Sequence, residues 1–405
     1  MTDGKIGVWF IGAWGGVSTT AATGLAALQQ GLTGEAGLVS GLPRFADLNL
    51  ADWNQFVIGG HEIRRTCYAV EAKILYDNSR VFSSQLLEKI SATLVEYDRN
   101  VRTGTLINVG TTIESLASAE TQKTKGERPQ TGLDRIARDL DEFRNTHHLD
   151  HVIVVNLSST EPPLESNASE MDWPELSKIL ETSESSPVPA STIYGIAALK
   201  SGCSFVNFTP SIGSDIPALH ELALEQGGLH VGRDGKTGET LLKSVLAPMF
   251  AARNLPVMSW VGHNIFGNMD GKVLDDPVNK ANKVRSKDHL LTEILGYKPQ
   301  TLVSIEYIES MGDWKTAWDH IHFQGFLNTP MTMQFTWQGC DSILAAPLVL
   351  DLIRFTEREQ RRGKSGVMTH LSSFFKSPMG SNVPPEFQKQ YALLENWADE
   401  VAAEA

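Results

Sequence analysis

Residues 5–31 read KIGVWFIGAWGGVSTTAATGLAALQQG. A compact apolar run ends at Ile11, glycines follow at 12, 15 and 16, and an Ala- and Leu-rich stretch continues to Gly31. That order predicts strand, tight turn and helix. Glycine lets backbone approach a pyrophosphate closely, and a helix N-terminus points its amides at one, so the segment suits a dinucleotide. Gly12, Gly15 and Gly16 are spaced for this, and the hydroxyls of Ser18, Thr19 and Thr20 are candidates for added phosphate contacts. The turn departs from GxGxxG at Trp14, and the same residues also suit an ordinary strand-to-helix connection.

Working outward, apolar runs with strand character recur at 56–58, 105–109, 151–157 and 204–208, separated by helical patterns such as 83–98 and 132–146. This alternation predicts an α/β fold with a Rossmann-type, doubly wound parallel sheet whose ligands sit at the strand C-termini. The strand ends are polar and turn-capable: NVGTT at 108–112, NLSST at 156–160 and NFTPSIGSD at 207–215. Each reads as a crevice lining or as a plain loop. The polar stretches 119–131 and 159–172 read as surface loops. Beyond residue 250 the texture changes, with strand-like runs at 256–261, 301–308 and 331–337 interrupted by a lysine-rich segment at 272–287. A second, α+β domain around an open sheet is expected there, inserted before C-terminal helices at 341–357 and from 386 onward. The expected division is 1–200 plus 320–405 for the first domain and 201–319 for the second.

A chain of 405 residues exceeds what one core usually organises, which agrees with two domains. With 41% hydrophobic and 20% charged residues it has the composition of a packed body and leaves little room for disorder. The net charge of −13 argues against nucleic acid or anionic membrane as partner, so an anionic substrate requires a local cluster of cations. Cys67, Cys203 and Cys340 are few, distant and odd in number, neither a disulfide framework nor a zinc spacing, and they fit reduced thiols in a cytoplasm. The N-terminal apolar run is too short to span a membrane and reads as a strand, with no export signal before it.

The cation cluster lies in NIFGNMDGKVLDDPVNKANKVRSKDHLL, residues 264–291. Asn264, Asn268, Asp270 and Gly271 form a polar turn, and Lys280, Lys283, Arg285 and Lys287 follow it. If 282–290 begins a helix, Lys283 and Lys287 share a face, repel by a few tenths of a kcal/mol, and are relieved by an anion between them. A solvated face carrying lysines by chance is the plain alternative. Lys315 in GDWKTAWD and Lys376 in SSFFKSPMG stand next to Trp314, Trp318, Phe374 and Phe375 in sequence. An apolar setting lowers a lysine pKa from about 10.4 and makes a usable acid or base.

These segments together resemble the myo-inositol-phosphate synthase family, in its short archaeal and bacterial form. The likeness runs almost end to end, through GAWGGVSTT, FVIGGHEIR (56–64), VNLSSTEP (155–162), VNFTPSIGSD (206–215), GRDGKTGETLLKSVLAPMF (232–250), NIFGNMDGKVL (264–274), KANKVRSKD (280–288), DWKTAWD (313–319), DSILAAPLVLD (341–351) and FFKSPM (374–379). The resemblance implies an NAD-binding first domain and a second domain that is catalytic and mediates a homotetramer. It implies catalytic roles for Lys283, Lys287, Lys315, Lys376, Asp270 and Asp341. It implies cofactor contacts from Gly12, Ala13, Trp14, Gly15, Gly16, Val17, Ser18, Thr19, Asn156, Ser158, Ser159, Thr209, Asp234, Thr237 and Asp341, and substrate contacts from Asn264, Asn268, Gly238 and Lys243. Met269 replaces one asparagine of the family turn, and Leu241 replaces a lysine of the eukaryotic form. The short form also uses a divalent cation, for which no His or Cys cluster marks a site.

The implied reaction explains the residue types. A glucose 6-phosphate is oxidised at carbon 5, loses a proton at carbon 6, closes by aldol attack on carbon 1 and is reduced again to 1L-myo-inositol 1-phosphate. Negative charge develops on two oxygens in turn, and preorganised ammonium groups stabilise both. Three other readings share the residues: a cyclase acting on another sugar phosphate, a sugar-phosphate dehydrogenase that releases NADH, and a non-catalytic NAD-binding scaffold.

Overall fold

A computed structural model describes residues 4–164, 167–268 and 290–404. Strand β1 (Lys5–Ile11) runs through the Gly12 turn into α1 (Gly16–Gln29), and β2 (Phe56–Glu62) follows after three short 3-10 turns. Helices α2 (Tyr68–Ser79) and α3 (Ser84–Asp98) lead to β3 (Val101–Thr103). The chain then passes through α4 (Thr111–Glu114) and α5 (Pro129–His147) to β4 (Leu149–Asn156), and through α6 (Trp173–Thr182) and α7 (Ala190–Lys200) to β5 (Ser204–Asn207). Helix α8 (Pro217–Glu225) precedes β6 (Leu229–Gly232). With β11 (Gly366–Val367), these strands form one sheet in the order β11-β6-β5-β4-β1-β2-β3, every pairing parallel.

The order reverses at β1. The chain leaves β1 toward β2 and β3, then crosses back to pair β4 on β1's other edge. A crevice forms at such a switch point because the flanking connections diverge to opposite faces. Alternation along β1 divides the core in two: Val8 and Phe10 pack on one face with α1, while Trp9 and Ile11 pack on the other with α5 and α7 residues. Helix α1 is buried almost all round. It is covered outside by α10 (Asp341–Arg361), whose Ala345, Val349 and Leu352 join the same core as Leu394 and Trp397 of α11 (Phe387–Ala403).

Helix α9 (Glu239–Ala252) carries the chain to a second sheet, formed by β7 (Val257–Phe266), β8 (Gln300–Tyr307), β9 (Trp314–Gln324) and β10 (Pro330–Cys340) in the order β10-β9-β7-β8. Its inner face buries Trp260 and Ile321 against Ala247 and Phe250 of α9.

Sheet membership moves the expected domain limits. Strands β5 and β6 lie beyond residue 200 yet pair into the first sheet, and β10 lies beyond 319 yet belongs to the second. The expected strand at 105–109 is a buried loop. Asn108 has φ of 49°, which breaks extension, and side chains satisfy the backbone instead: the Thr105 amide donates to Tyr194 Oη at 3.1 Å and the Ile107 amide to Thr105 Oγ1 at 3.3 Å. Four strands were not anticipated, β3, β6, β9 and β11; in the longest, β9, polar Asp319 alternates inward with Ala317 and Ile321 and accepts from Trp260 Nε1 at 2.7 Å.

Candidate active site

Three glycines shape the turn after β1 for three different reasons. Gly12 has φ of 77°, and a Cβ there would lie 3.0 Å from Ser158 Cα, so the residue must lack a side chain for β1 and β4 to open a crevice between them. A Cβ on Gly15 would lie 3.1 Å from the Gly12 carbonyl oxygen. At Gly16 it would lie 3.0 Å from Ser342 Oγ, so this glycine admits the N-terminus of α10. No side chain caps α1, and Gly15, Gly16 and Val17 line the crevice with its N-terminus, where amides and helix dipole favour an anion.

Four of the residues expected at the cofactor are turned elsewhere and do not line the crevice. Ser18 Oγ donates back to the Gly12 carbonyl at 2.7 Å, and Thr19 and Ala13 are fully buried. The Trp14 indole donates to Asp98 Oδ1 at 2.8 Å. The hydroxyls read as phosphate ligands are thus spent on fastening the turn and packing α1 between sheet and α10.

Opposite the turn, Asn156 holds a buried polar ladder, donating to Asn207 Oδ1 at 3.1 Å and Thr209 Oγ1 at 3.2 Å while accepting from Ser158 Oγ at 2.8 Å. Asn156 itself stays behind the wall, and Ser158, Ser159, Thr209, Asp234, Thr237 and Asp341 face the crevice, whose volume is about 710 Å³. In the same wall, burial pushes the Glu161 carboxyl up to about 7 against the bonds it accepts from Ser191.

Lys315 and Lys376 converge. Both line the crevice and also a small side pocket bounded by Thr237, Gly238, Glu239 and Asn264 at the start of α9. Lys376 pairs with Asp234 at 2.8 Å, and Lys315 lies 3.6 Å from Asp341. The aromatic partner of Lys315 is Phe266, its ring centre 4.9 Å away; Trp314 and Trp318 are instead 41% and 43% exposed. Lys376 is fixed by a short antiparallel bridge, Gly235 against Phe375, with the Lys376 amide donating to the Asp234 carbonyl at 2.6 Å.

Among the expected substrate contacts, Gly238 and Asn264 border the side pocket and Asn268 borders the crevice, donating to Asp313 Oδ1 at 3.0 Å. Lys243 does neither. It is 1% exposed, pairs with Glu239 at 2.6 Å and lies over the Trp260 ring, a buried ion pair under the second sheet. Asp270, Lys283 and Lys287 lie outside the described residues. Among the described residues, no group of three or more His, Cys, Asp or Glu is arranged to hold a metal.

Three residues escaped the sequence reading. Glu62 ends β2, accepts from the Trp14 amide at 2.9 Å and lines the crevice beside Arg64, which donates to the Trp14 carbonyl at 2.6 Å. An acid at this strand end is the usual ribose acceptor of a dinucleotide fold, but here its oxygens are taken by the Trp14, Ile63 and Arg64 amides and the Arg64 guanidinium; its signal was the HE closing the apolar run 56–60. Lys236 is buried against Gln390 and Phe387 of α11, its ammonium pushed down to about 7 by burial and then by Lys376. Asp313 is buried between β9 and α10. Both lie in segments quoted above, GRDGKTGETLLKSVLAPMF and DWKTAWD, but nothing in their immediate neighbours marks these two side chains as buried.

A doubly wound sheet with an uncapped glycine turn at its switch point, facing two lysines from other elements, defines a dinucleotide-binding protein with a cationic second site. More narrowly, the chain belongs to the NAD-binding myo-inositol-1-phosphate synthase family, whose model matches residues 6–398. It is 31% identical over 418 aligned positions to inositol-3-phosphate synthase 1 of Bacteroides thetaiotaomicron, covering 97% of this chain and 93% of that protein. It is also 31% identical over 310 positions to inositol-3-phosphate synthase 1 of Rattus norvegicus, covering 70% of this chain. The chain matches 55% of that mammalian relative's length. The fold matches an inositol-3-phosphate synthase of Caenorhabditis elegans with TM-score 0.85 at 22% identity, covering 98% of this chain and 86% of that one. It matches a myo-inositol-1-phosphate synthase-related protein of Thermotoga maritima with TM-score 0.78 at 22% identity, covering 98% of both.

Proposed function

We propose that this protein converts glucose 6-phosphate to 1L-myo-inositol 1-phosphate with NAD held in the switch-point crevice. The observation that carries the reading is the shared wall. Lys315 and Lys376, each beside a carboxylate, stand between the dinucleotide crevice and a pocket at the uncapped start of α9.

The residues present fit the cofactor, since Gly12 and Ser158 both line the crevice and approach so closely that a Cβ on Gly12 would lie 3.0 Å from Ser158 Cα. The α1 amides would take the pyrophosphate, and Ser158, Ser159, Thr209, Asp234 and Asp341 the remaining polar edge, with Glu62 holding the Trp14 amide of the turn in place. NAD, when bound, supplies a hydride acceptor for the carbon 5 alcohol and returns the hydride after ring closure. Gly238 and Thr237 at the α9 N-terminus would seat the substrate phosphate, with Asn264 behind them. Lys376, held by Asp234, and Lys315, held near Asp341, would stabilise oxygen anions at carbons 5 and 1 and move protons there. The same reading gives Lys283 and Lys376 the proton transfers, Lys287 and Lys315 the phosphate and carbon 1 oxygen, and Asp270 and Asp341 the orientation of lysines.

We further propose that the unit around the first sheet binds cofactor, that the second sheet completes catalysis and assembles a homotetramer, and that the protein works in the cytoplasm. Leu302 and Trp318, 55% and 43% exposed on the outer face of the second sheet, support assembly there. No helix among the described residues is long and apolar enough to cross a membrane.

The test is incubation of purified protein with NAD and glucose 6-phosphate, followed by phosphorus NMR. A cyclic inositol phosphate with no lasting NADH absorbance is the expected result; stoichiometric NADH would identify a dehydrogenase and overturn the proposal.

A further inference from the structure

Asp313 opens the GDWK turn into β9 and is 3% exposed. Its Oδ1 accepts from Asn268 Nδ2 at 3.0 Å and Ser342 Oγ at 3.0 Å, and its Oδ2 from the Cys340 thiol at 2.8 Å and the Ser342 amide at 2.9 Å. Four donors use the roughly four acceptor positions of a carboxylate, leaving none for a ligand. The backbone is engaged as well: the Asp313 amide donates to Ser79 Oγ of α2 at 2.9 Å, and its carbonyl accepts from the Asp341 amide at 2.9 Å.

The consequence concerns the residues on either side of these bonds. Cys340, Asp341 and Ser342 are all tied to Asp313, so the direction in which Asp341 leaves the start of α10 is set by it. Lys315 follows Asp313 by two residues on β9 and reaches Asp341 at 3.6 Å. One buried carboxylate therefore governs both members of the pair, along the chain for the lysine and through hydrogen bonds for the acid. Burying a carboxylate is costly, and a helix can be capped by an exposed serine or aspartate at far lower cost. A cap alone gives no reason to place the acid here.

We propose that Asp313 is a positioning residue for the reaction, fixing Asp341 against Lys315 at the crevice wall. This rests on the functional reading above for its kinetic consequence but not for its geometric one.

The test uses Asp313→Asn, whose amide NH2 faces donors that an oxygen formerly accepted. Acetylation of Lys315 by acetic anhydride, followed by mass spectrometry, should accelerate by about threefold or more, with Lys376 unchanged as internal control. Equal Lys315 rates in variant and parent would overturn the proposal whatever the substrate proves to be. With NAD and glucose 6-phosphate, kcat should fall by about tenfold or more while the KM and the NAD dissociation constant stay within about threefold. The deuterium isotope effect on kcat, using substrate labelled at carbon 5, should fall, because the closure at carbon 1 that Lys315 assists becomes slower than hydride transfer. A fall in kcat with an unchanged isotope effect, matching a loss of folded protein, would reduce Asp313 to a structural cap. If Asp313→Asn does not fold, Cys340→Val and Cys340→Ser replace it. The serine keeps a donor to Oδ2 and should label Lys315 at the parent rate, whereas the valine should label it faster, and identical rates in the two would overturn the proposal. Should the parent protein leave glucose 6-phosphate unchanged, the functional reading fails while the labelling result still decides the positioning.

Discussion

The first sheet is covered on both faces by helices, and its contribution to the site is mainly backbone: a glycine turn, an uncapped helix start and a row of strand ends. The second sheet buries one face on α9 and leaves Leu302, His263 and Trp318 outside, and it contributes the side chain of Lys315, which meets the Asp234–Lys376 pair carried beyond the end of β6. Backbone sites need local geometry, which a few consecutive residues can specify. Side-chain sites need several elements to arrive together, and every charge they use must be held by another. Lys315 with Asp341, Lys376 with Asp234 and Lys243 with Glu239 are three such arrangements, and only in the first two does the lysine itself face a cavity.

The largest effect should separate the halves most cleanly. Lys376→Met is expected to lower turnover by about a thousandfold, the scale of losing preorganised transition-state charge stabilisation. NAD affinity measured by calorimetry should change by less than about threefold, and a comparable loss of cofactor binding would mean that the side-chain half is not separable. Lys243→Met should act on the fold instead, costing about 3 kcal/mol or more in urea unfolding because Glu239 is left buried without its cation. Lys243→Met combined with Glu239→Gln should recover most of that. A parent-like urea midpoint with a raised KM would restore Lys243 as a substrate contact.

Gly12→Val attacks the backbone half through both φ and the approach of Ser158, and should weaken NAD by about a hundredfold or more. Unchanged affinity would place the dinucleotide elsewhere.

The smallest effect concerns pH. The Lys236 ammonium is lowered from 10.5 to about 7, so between those values the unfolded chain carries a proton that the folded chain lacks. Its contribution to stability therefore grows as pH rises through that window and is lost as pH falls through about 7. Lys236→Met should flatten the difference in urea midpoint between pH 7.5 and 9.5 relative to the parent, and parallel pH curves would exclude the buried ammonium as the source.

Strand β1, the Gly12 turn and α1 are legible because an apolar run, glycines and an Ala-rich helix follow one another within 25 residues. Lys315 and Lys376 were legible as candidates, Lys315 for the wrong neighbours: the indoles near it in sequence point away, since alternate residues of a strand face opposite sides. Ser18 and Thr19 misled for the helical version of the same reason, because position in a turn of α1 decides whether a hydroxyl meets the ligand or the core.

What the amino-acid order determined by itself was therefore the local grammar: parallel strands joined by helices, a turn with room for an anion, and a supply of lysines in a chain of net charge −13. Tertiary structure alone decided which cation faces a cavity and which is sealed beside a carboxylate, and that the Asp313 carboxylate binds residues 27 to 45 positions away. Backbone conformation is set by neighbours along the chain, whereas the solvation and partners of a charge depend on groups that only folding brings into contact.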